Sequence, residues 1–152
     1  MALDTPPLII KKRRTAFKLE TTTGTPISLA AANAVTPIFN SKFRKTTEQI
    51  ARPPEGTFSA RRMGRGAPRY DITFQSEVYG AGSAALPSWA PLLKACGIGF
   101  TSLVGKPVTG ATETLTMGLF KTGRTHLAAG CMGTFKMMIR RGQAAMIDWA
   151  FM

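Results

Sequence analysis

The residues best equipped for chemistry in this chain are its arginines. Arg61, Arg62, Arg65 and Arg69 fall close together, with Gly64 and Gly66 between them. A guanidinium fork binds two phosphate oxygens at once, and glycine lets the backbone follow a curved anion. The same residues also suit a solvated loop that orders against an acidic surface of a neighbouring subunit. Tyr70 alone makes no stacking platform for unpaired bases, which favours subunit contact over single-strand binding. Lys11, Lys12, Arg13 and Arg14 form a second basic run with the same two uses.

The other reactive side chains stand apart from one another. His126 is the one histidine and has no carboxylate near it in sequence, so it reads as a structural or surface residue. The eight acids are spread singly, without DxD, ExxH or EF-hand spacing. Asp71 and Glu77 share a strand face but lie roughly 20 Å apart at strand rise, too far to work as a pair. Cys96 and Cys131 lack CxxC spacing and sit among small or apolar residues, as two buried reduced thiols would. Gly80-Ala81-Gly82 follows a strand but lacks the third glycine of a dinucleotide loop, and Gly105-Lys106 lacks the rest of a P-loop. The sequence therefore predicts no catalytic residue, no metal and no cofactor, and the chain reads as a non-enzyme.

These residues need elements to place them. Residues 1–14 read as a basic arm, and 15–152 as a single β domain. Thr15–Thr22 is expected to be extended, with Phe17 and Leu19 on one face. Val35–Lys45 reads as a second strand whose apolar part is Ile38 and Phe39. From Thr46 to Arg69 apolar residues are few, Pro53 and Pro54 adjoin, and the stretch reads as one long Arg-rich loop. Tyr70–Tyr79 alternates cleanly, with Tyr70, Ile72, Phe74 and Val78 on one face and Ser76 interrupting them. One short helix follows: Ser88 as its cap, Trp89, Leu92, Leu93 and Cys96 at i, i+3, i+4 and i+7, and Gly97 as its stop. At two turns it cannot stand alone, so those four side chains must anchor it on a sheet.

After a Gly-rich loop, Thr114–Lys121, Arg124–Ala129, Gly133–Arg140 and Gln143–Phe151 read as antiparallel strands. Met137 and Met138 suit core filling or an interface. The fold class is mainly β: an antiparallel sandwich or barrel with one short flanking helix and long loops. The chain stops on Trp149-Ala150-Phe151-Met152, in mid-pattern, as a fragment of a longer protein would. A stop codon directly after Met152 in the natural reading frame would refute that expectation.

Composition bounds the partners. The chain has 152 residues and 44% apolar content, enough for a core of its own. Its formal charge is +12, from 20 Lys and Arg against 8 Asp and Glu. Residues 1–69 hold 13 bases and 4 acids, so most of the excess lies in the less regular half. Such a field favours polyanions or an acidic protein partner. No apolar run is long enough for a transmembrane helix, and the basic run follows the first apolar patch, the reverse of a secretory signal.

The segment Gly80-Ala-Gly-Ser, then Pro87-Ser-Trp89-Ala-Pro-Leu92-Leu93-Lys-Ala-Cys96-Gly97, resembles a signature of the tail tube proteins of long, non-contractile-tailed phages. Gly123-Arg124, Leu127-Ala-Ala-Gly130-Cys-Met-Gly133-Thr134-Phe135 and the later Gly142 are similar to that family's hairpin pair. Phe17-Lys-Leu19-Glu20-Thr-Thr-Thr-Gly24-Thr and Arg52-Pro53 resemble its earlier segments. The resemblance implies a virion protein, assembled in the host cytoplasm, in which six copies form a ring and rings stack into a tail tube. DNA would pass through the lumen without sequence-specific contact, and other tail or connector proteins would be partners. It makes Lys11, Lys12, Arg13, Arg14, Arg61, Arg62, Arg65 and Arg69 candidates for contacts between subunits. In one respect the chain departs from the family, whose lumens are commonly acidic. A head–tail connector or a capsid decoration subunit would share much of the pattern, and a basic β-domain that binds nucleic acid is the alternative.

Overall fold

A computed structural model describes residues 14–30, 33, 38–50, 64–82, 85–110, 113–121 and 124–152. Nine strands and one helix follow one another along them: β1 (Arg14–Leu19), β2 (Ile38–Ile50), β3 (Gly64–Glu77), α1 (Ala90–Lys94), β4 (Ile98–Thr101), β5 (Val104–Pro107), β6 (Leu115–Lys121), β7 (Arg124–Cys131), β8 (Gly133–Met138) and β9 (Met146–Phe151). The fold is mainly β and antiparallel throughout. The strands form a three-stranded sheet β1-β6-β7, a four-stranded sheet β2-β3-β9-β8 and the hairpin β4-β5. The two larger sheets share one apolar cluster, as layers of a sandwich do, and neither closes into a barrel.

Strand alternation explains the core. Ile72, Phe74 and Ser76 of β3 and Ile147, Trp149 and Phe151 of β9 point to the same buried side. Phe74, Trp149 and Phe151 pack as a three-ring cluster with centroids 6.0–6.2 Å apart, and Phe135 of β8 lies 5.9 Å from Trp149. Ser76, which interrupts the apolar row in sequence, has a definite task there. Its Oγ accepts the Trp149 Nε1–H at 2.8 Å and so satisfies a donor that would otherwise be buried alone.

From the other side, β6 brings Leu115, Met117 and Leu119, β1 brings Phe17 and β7 brings Ala128 and Cys131. Strand β6 is covered on both faces, because residues 25–30 cross its back. The Ile27 N–H reaches Thr116 Oγ1, and the Leu29 side chain lies where a Cβ on Gly118 would be.

Helix α1 packs on the core. Leu92 and Leu93 are buried in the core, while Trp89 and Cys96 are half-buried and pack against it. Trp89 occupies the cap position, and no side chain caps the helix. Ser88, expected in that role, instead meets the Tyr79 hydroxyl. With Pro91 in the first turn there is one amide fewer to satisfy, and the Ala90 N–H is taken by the Pro87 carbonyl.

Three expectations need correction. Residues 46–50 and 64–69 are not loop: β2 and β3 stay paired out to Ile50 opposite Gly64, as a ribbon extending past the core. Exposed on both faces, it carries no apolar alternation for a sequence reading to detect. The apolar contact of β2 is made by Ile38 and Phe43, not by Ile38 and Phe39. Phe39 follows inward-facing Ile38 and lies opposite Gln75 on the polar face. The register shift between Phe39 and Lys42, where Asn40 adopts a positive φ, then brings Phe43 opposite Ile72 on the core face. Lastly, the glycine-rich stretch after the helix is the hairpin β4-β5, turned at Ser102 with φ 56°.

Two substitutions test this packing. Ser76→Ala strands the Trp149 N–H and is expected to cost about 1–3 kcal/mol in urea unfolding. An added Cβ at Gly133 would run into the Ala150 carbonyl and the Phe151 ring, so Gly133→Ala is expected to cost about as much. Gly110 has open space around it, and Gly110→Ala should leave the midpoint nearly unchanged.

Candidate functional site: two free sheet edges and a basic ribbon

The four-stranded sheet ends in β2 on one side and β8 on the other, and no strand of the described residues pairs with either outer edge. Along β8 the apolar side chains run out into solvent. Phe135 and Met137 lie in register with Trp149 and Ile147, on the core face, yet are 36% and 42% exposed. Ile139, just beyond, is 76% exposed. Among the described residues nothing covers the core face fully at this margin. Aromatic and branched residues beside unpaired backbone groups make an unfinished edge of the kind that isolated proteins normally blunt.

The sequence-predicted contact residues separate into groups. Lys11, Lys12, Arg13, Arg61 and Arg62 lie outside the described residues. Arg14 belongs to no arm; it opens β1 opposite Phe120. Arg65 and Arg69 sit on β3 within the ribbon, Arg65 opposite Gln49 and Arg69 opposite Thr46. Arg69 is partly engaged already, with Nε 3.4 Å from Asp71 and a guanidinium hydrogen on Met152 Sδ. Of the four expected helix anchors, Leu92 and Leu93 lie in α1 while Trp89 and Cys96 flank it. All four pack on the core, and the Trp89 Nε1–H is fixed on the Tyr79 carbonyl at 2.9 Å.

On the polar face of the four-stranded sheet a hydrogen-bonded chain crosses three strands. Asn40 Nδ2 donates to Gln75 Oε1 and Gln75 Nε2 donates to Asp148 Oδ1, both at 2.7 Å. Lys42, Thr73, Thr134 and Lys136 border the shallow depression beside it. His126 is exposed on β7 opposite Leu119. Among the described residues no three His, Cys, Asp or Glu side chains come together. No helix among them is long and apolar enough to cross a membrane.

Sequence reasoning passed over Glu20. Its Oε2 accepts the Gly24 N–H at 2.8 Å and the Thr114 hydroxyl at 2.6 Å. Its Oε1 accepts the Thr116 hydroxyl and the Gly130 N–H, both at 2.8 Å. One carboxylate thus ties the end of β1 to β6, to β7 and to the segment that covers β6. Desolvation pushes its pKa up, but the four hydrogen bonds together outweigh that and leave it below the ordinary value. Its partners Thr114, Thr116 and Gly130 lie 94 to 110 residues away along the chain, so no local pattern marks it.

Burial pushes the Cys96 thiol up to about 12. Cys131 rises to about 11, from burial and from the nearby Glu20 charge. Both are free thiols of low thiolate content at neutral pH. No protein-family model matches the chain, and no curated protein matches it.

Gln at position 20 offers one acceptor oxygen where two backbone amides each need one. Glu20→Gln is therefore expected to destabilise by about 1–3 kcal/mol in urea unfolding at pH 7. Because the folded pKa lies below the unfolded one, the carboxylate's contribution is complete above the unfolded value. It is lost as pH falls through the folded value. The gap between wild type and Glu20→Gln should therefore shrink as pH drops below the ordinary 4.5. For the thiols, alkylation at pH 8 should be slow in the native chain and fast once urea unfolds it, as mass spectrometry would show.

Proposed function

We propose that this chain is a virion structural subunit, of the kind its sequence resembles in phage tail tubes, which assembles with copies of itself into rings that stack into a DNA-conducting tube. The observation that carries the reading is the pair of unlike free edges, β2 and β8, on one four-stranded sheet. A β8 edge meeting the β2 edge of the next copy would continue the sheet and cover Phe135, Met137 and Ile139. Such a contact is heterologous, and heterologous contacts close into rings when the rotation allows. The mainly-β fold and the short helix anchored by Leu92 and Leu93 support the same reading. Main-chain pairing would supply affinity, and the apolar row would set the register.

Negative-stain electron microscopy of the concentrated full chain at moderate salt tests this. Rings or tubes are the expected result, and a uniform small particle at every concentration would overturn it. Met137→Lys/Ile139→Lys places two charges on the edge and should keep the particles monomeric. Both side chains are exposed, so the unfolding free energy should change by less than about 0.5 kcal/mol.

A further inference from the structure

The outer half of the β2–β3 ribbon has a cationic face. From Lys45 opposite Tyr70 to Ile50 opposite Gly64 it is two strands wide, because β9 pairs with β3 only from Ile72 to Glu77. On one of its faces Lys45, Thr47, Gln49, Arg65, Gly66 and Pro68 border a shallow groove. None of the six is acidic. Lys45 and Arg65 are exposed, and the Lys45 ammonium is held 5.8 Å from the centre of the Tyr70 ring.

A second copy of the chain is a poor occupant for this face, because the carboxylates among the described residues are engaged or scattered. Of the acids in described segments, Glu20 holds two threonines and two amides. Glu113 faces Lys94 and Asp71 faces Arg69, each at 3.4 Å. Asp148 accepts from Gln75. Glu48 and Glu77 remain, the first on the ribbon itself and the second at the far end of β3. No acidic patch forms among the described residues that could receive a cationic ribbon.

We infer that the outer half of this ribbon docks on the backbone of duplex DNA, with Lys45 and Arg65 on phosphates and Thr47 and Gln49 supplying further donors. A two-stranded ribbon has the width that the major groove of B-DNA admits. Alternate side chains along it point to one face, where they can follow a phosphate strand. The deep, narrow major groove of double-stranded RNA would not admit it. Single strands are disfavoured too, since the face presents no row of aromatic rings. The interaction uses side chains of a ribbon face rather than the free sheet edges, and it does not require ring formation.

Fluorescence anisotropy of a short labelled DNA duplex, with the full chain at dilutions where it is monomeric, tests the inference apart from assembly. Affinity is expected to fall at least about tenfold between about 50 and 200 mM salt. Lys45→Gln/Arg65→Gln should weaken low-salt binding at least about tenfold and reduce the log–log salt slope by about 2. Lys45→Arg/Arg65→Lys keeps the charges and should keep the affinity. Lys18→Gln/Lys106→Gln removes the same charge from exposed sites on β1 and β5 and should change affinity less than about threefold. Absence of binding at low salt would overturn the inference. So would equal losses in the two Gln pairs, loss of binding in the charge-conserving pair, or equal affinity for an RNA duplex.

Discussion

The packing of Trp149 and Phe151 against Phe74 is the contact on which the rest of the molecule depends. These rings lie on β9 and β3, the inner pair of the four-stranded sheet, and face the layer formed by β1, β6 and β7. Large aromatic side chains contribute most where they are fully removed from water, and Trp149 is 2% exposed. Its indole N–H could make such burial costly. Ser76 removes that cost with one hydrogen bond, so a polar residue in an apolar row serves the core.

With β9 and β3 inside, β2 and β8 are left as the margins, and the two sheets are finished differently. In the sheet β1-β6-β7 the central strand is covered on both faces, while β1 and β7 are the edges. Residues 20–30 cross its outer face, and Glu20 fastens them through four hydrogen bonds. The four-stranded sheet is open at both margins, and its β8 margin exposes apolar residues that belong by register to the core face. Both sheets have unpaired edges among the described residues, and the β8 margin is the one where a row of apolar side chains from the core face is left exposed. The ribbon extends the four-stranded sheet further, adding charge where β8 adds apolar surface.

Much of this was legible from residue spacing. The alternation in Tyr70–Tyr79 located β3, and the Trp89, Leu92, Leu93 spacing located α1, because both elements have one buried face. Strands β6 to β9 were legible from the alternation of their apolar residues, although β6 is buried on both faces and β8 leaves its apolar row exposed. What was hidden lacked a buried face. The ribbon residues Thr46–Ile50 and Gly64–Arg69 are strand by pairing alone, and pairing partners leave no period in either segment. Hairpin β4-β5 was hidden by its glycines and by a turn at Ser102 that has no Asn-Gly signature. The basic residues were visible by type, but their division between the start of β1 and the ribbon was not. In the sequence Glu20 stands as an isolated acid, since its partners come from positions about 90 and 110 residues away.

The claim that unlike edges of one sheet meet between copies is tested most directly by amide hydrogen exchange, comparing the dilute with the concentrated full chain. Free edges exchange readily, whereas edges paired with another strand are protected. Slowed exchange in both β2 and β8, with β1 and β7 unchanged, is the result this account predicts. Protection of one of the two edges alone, of β1 or β7, or of none would contradict it.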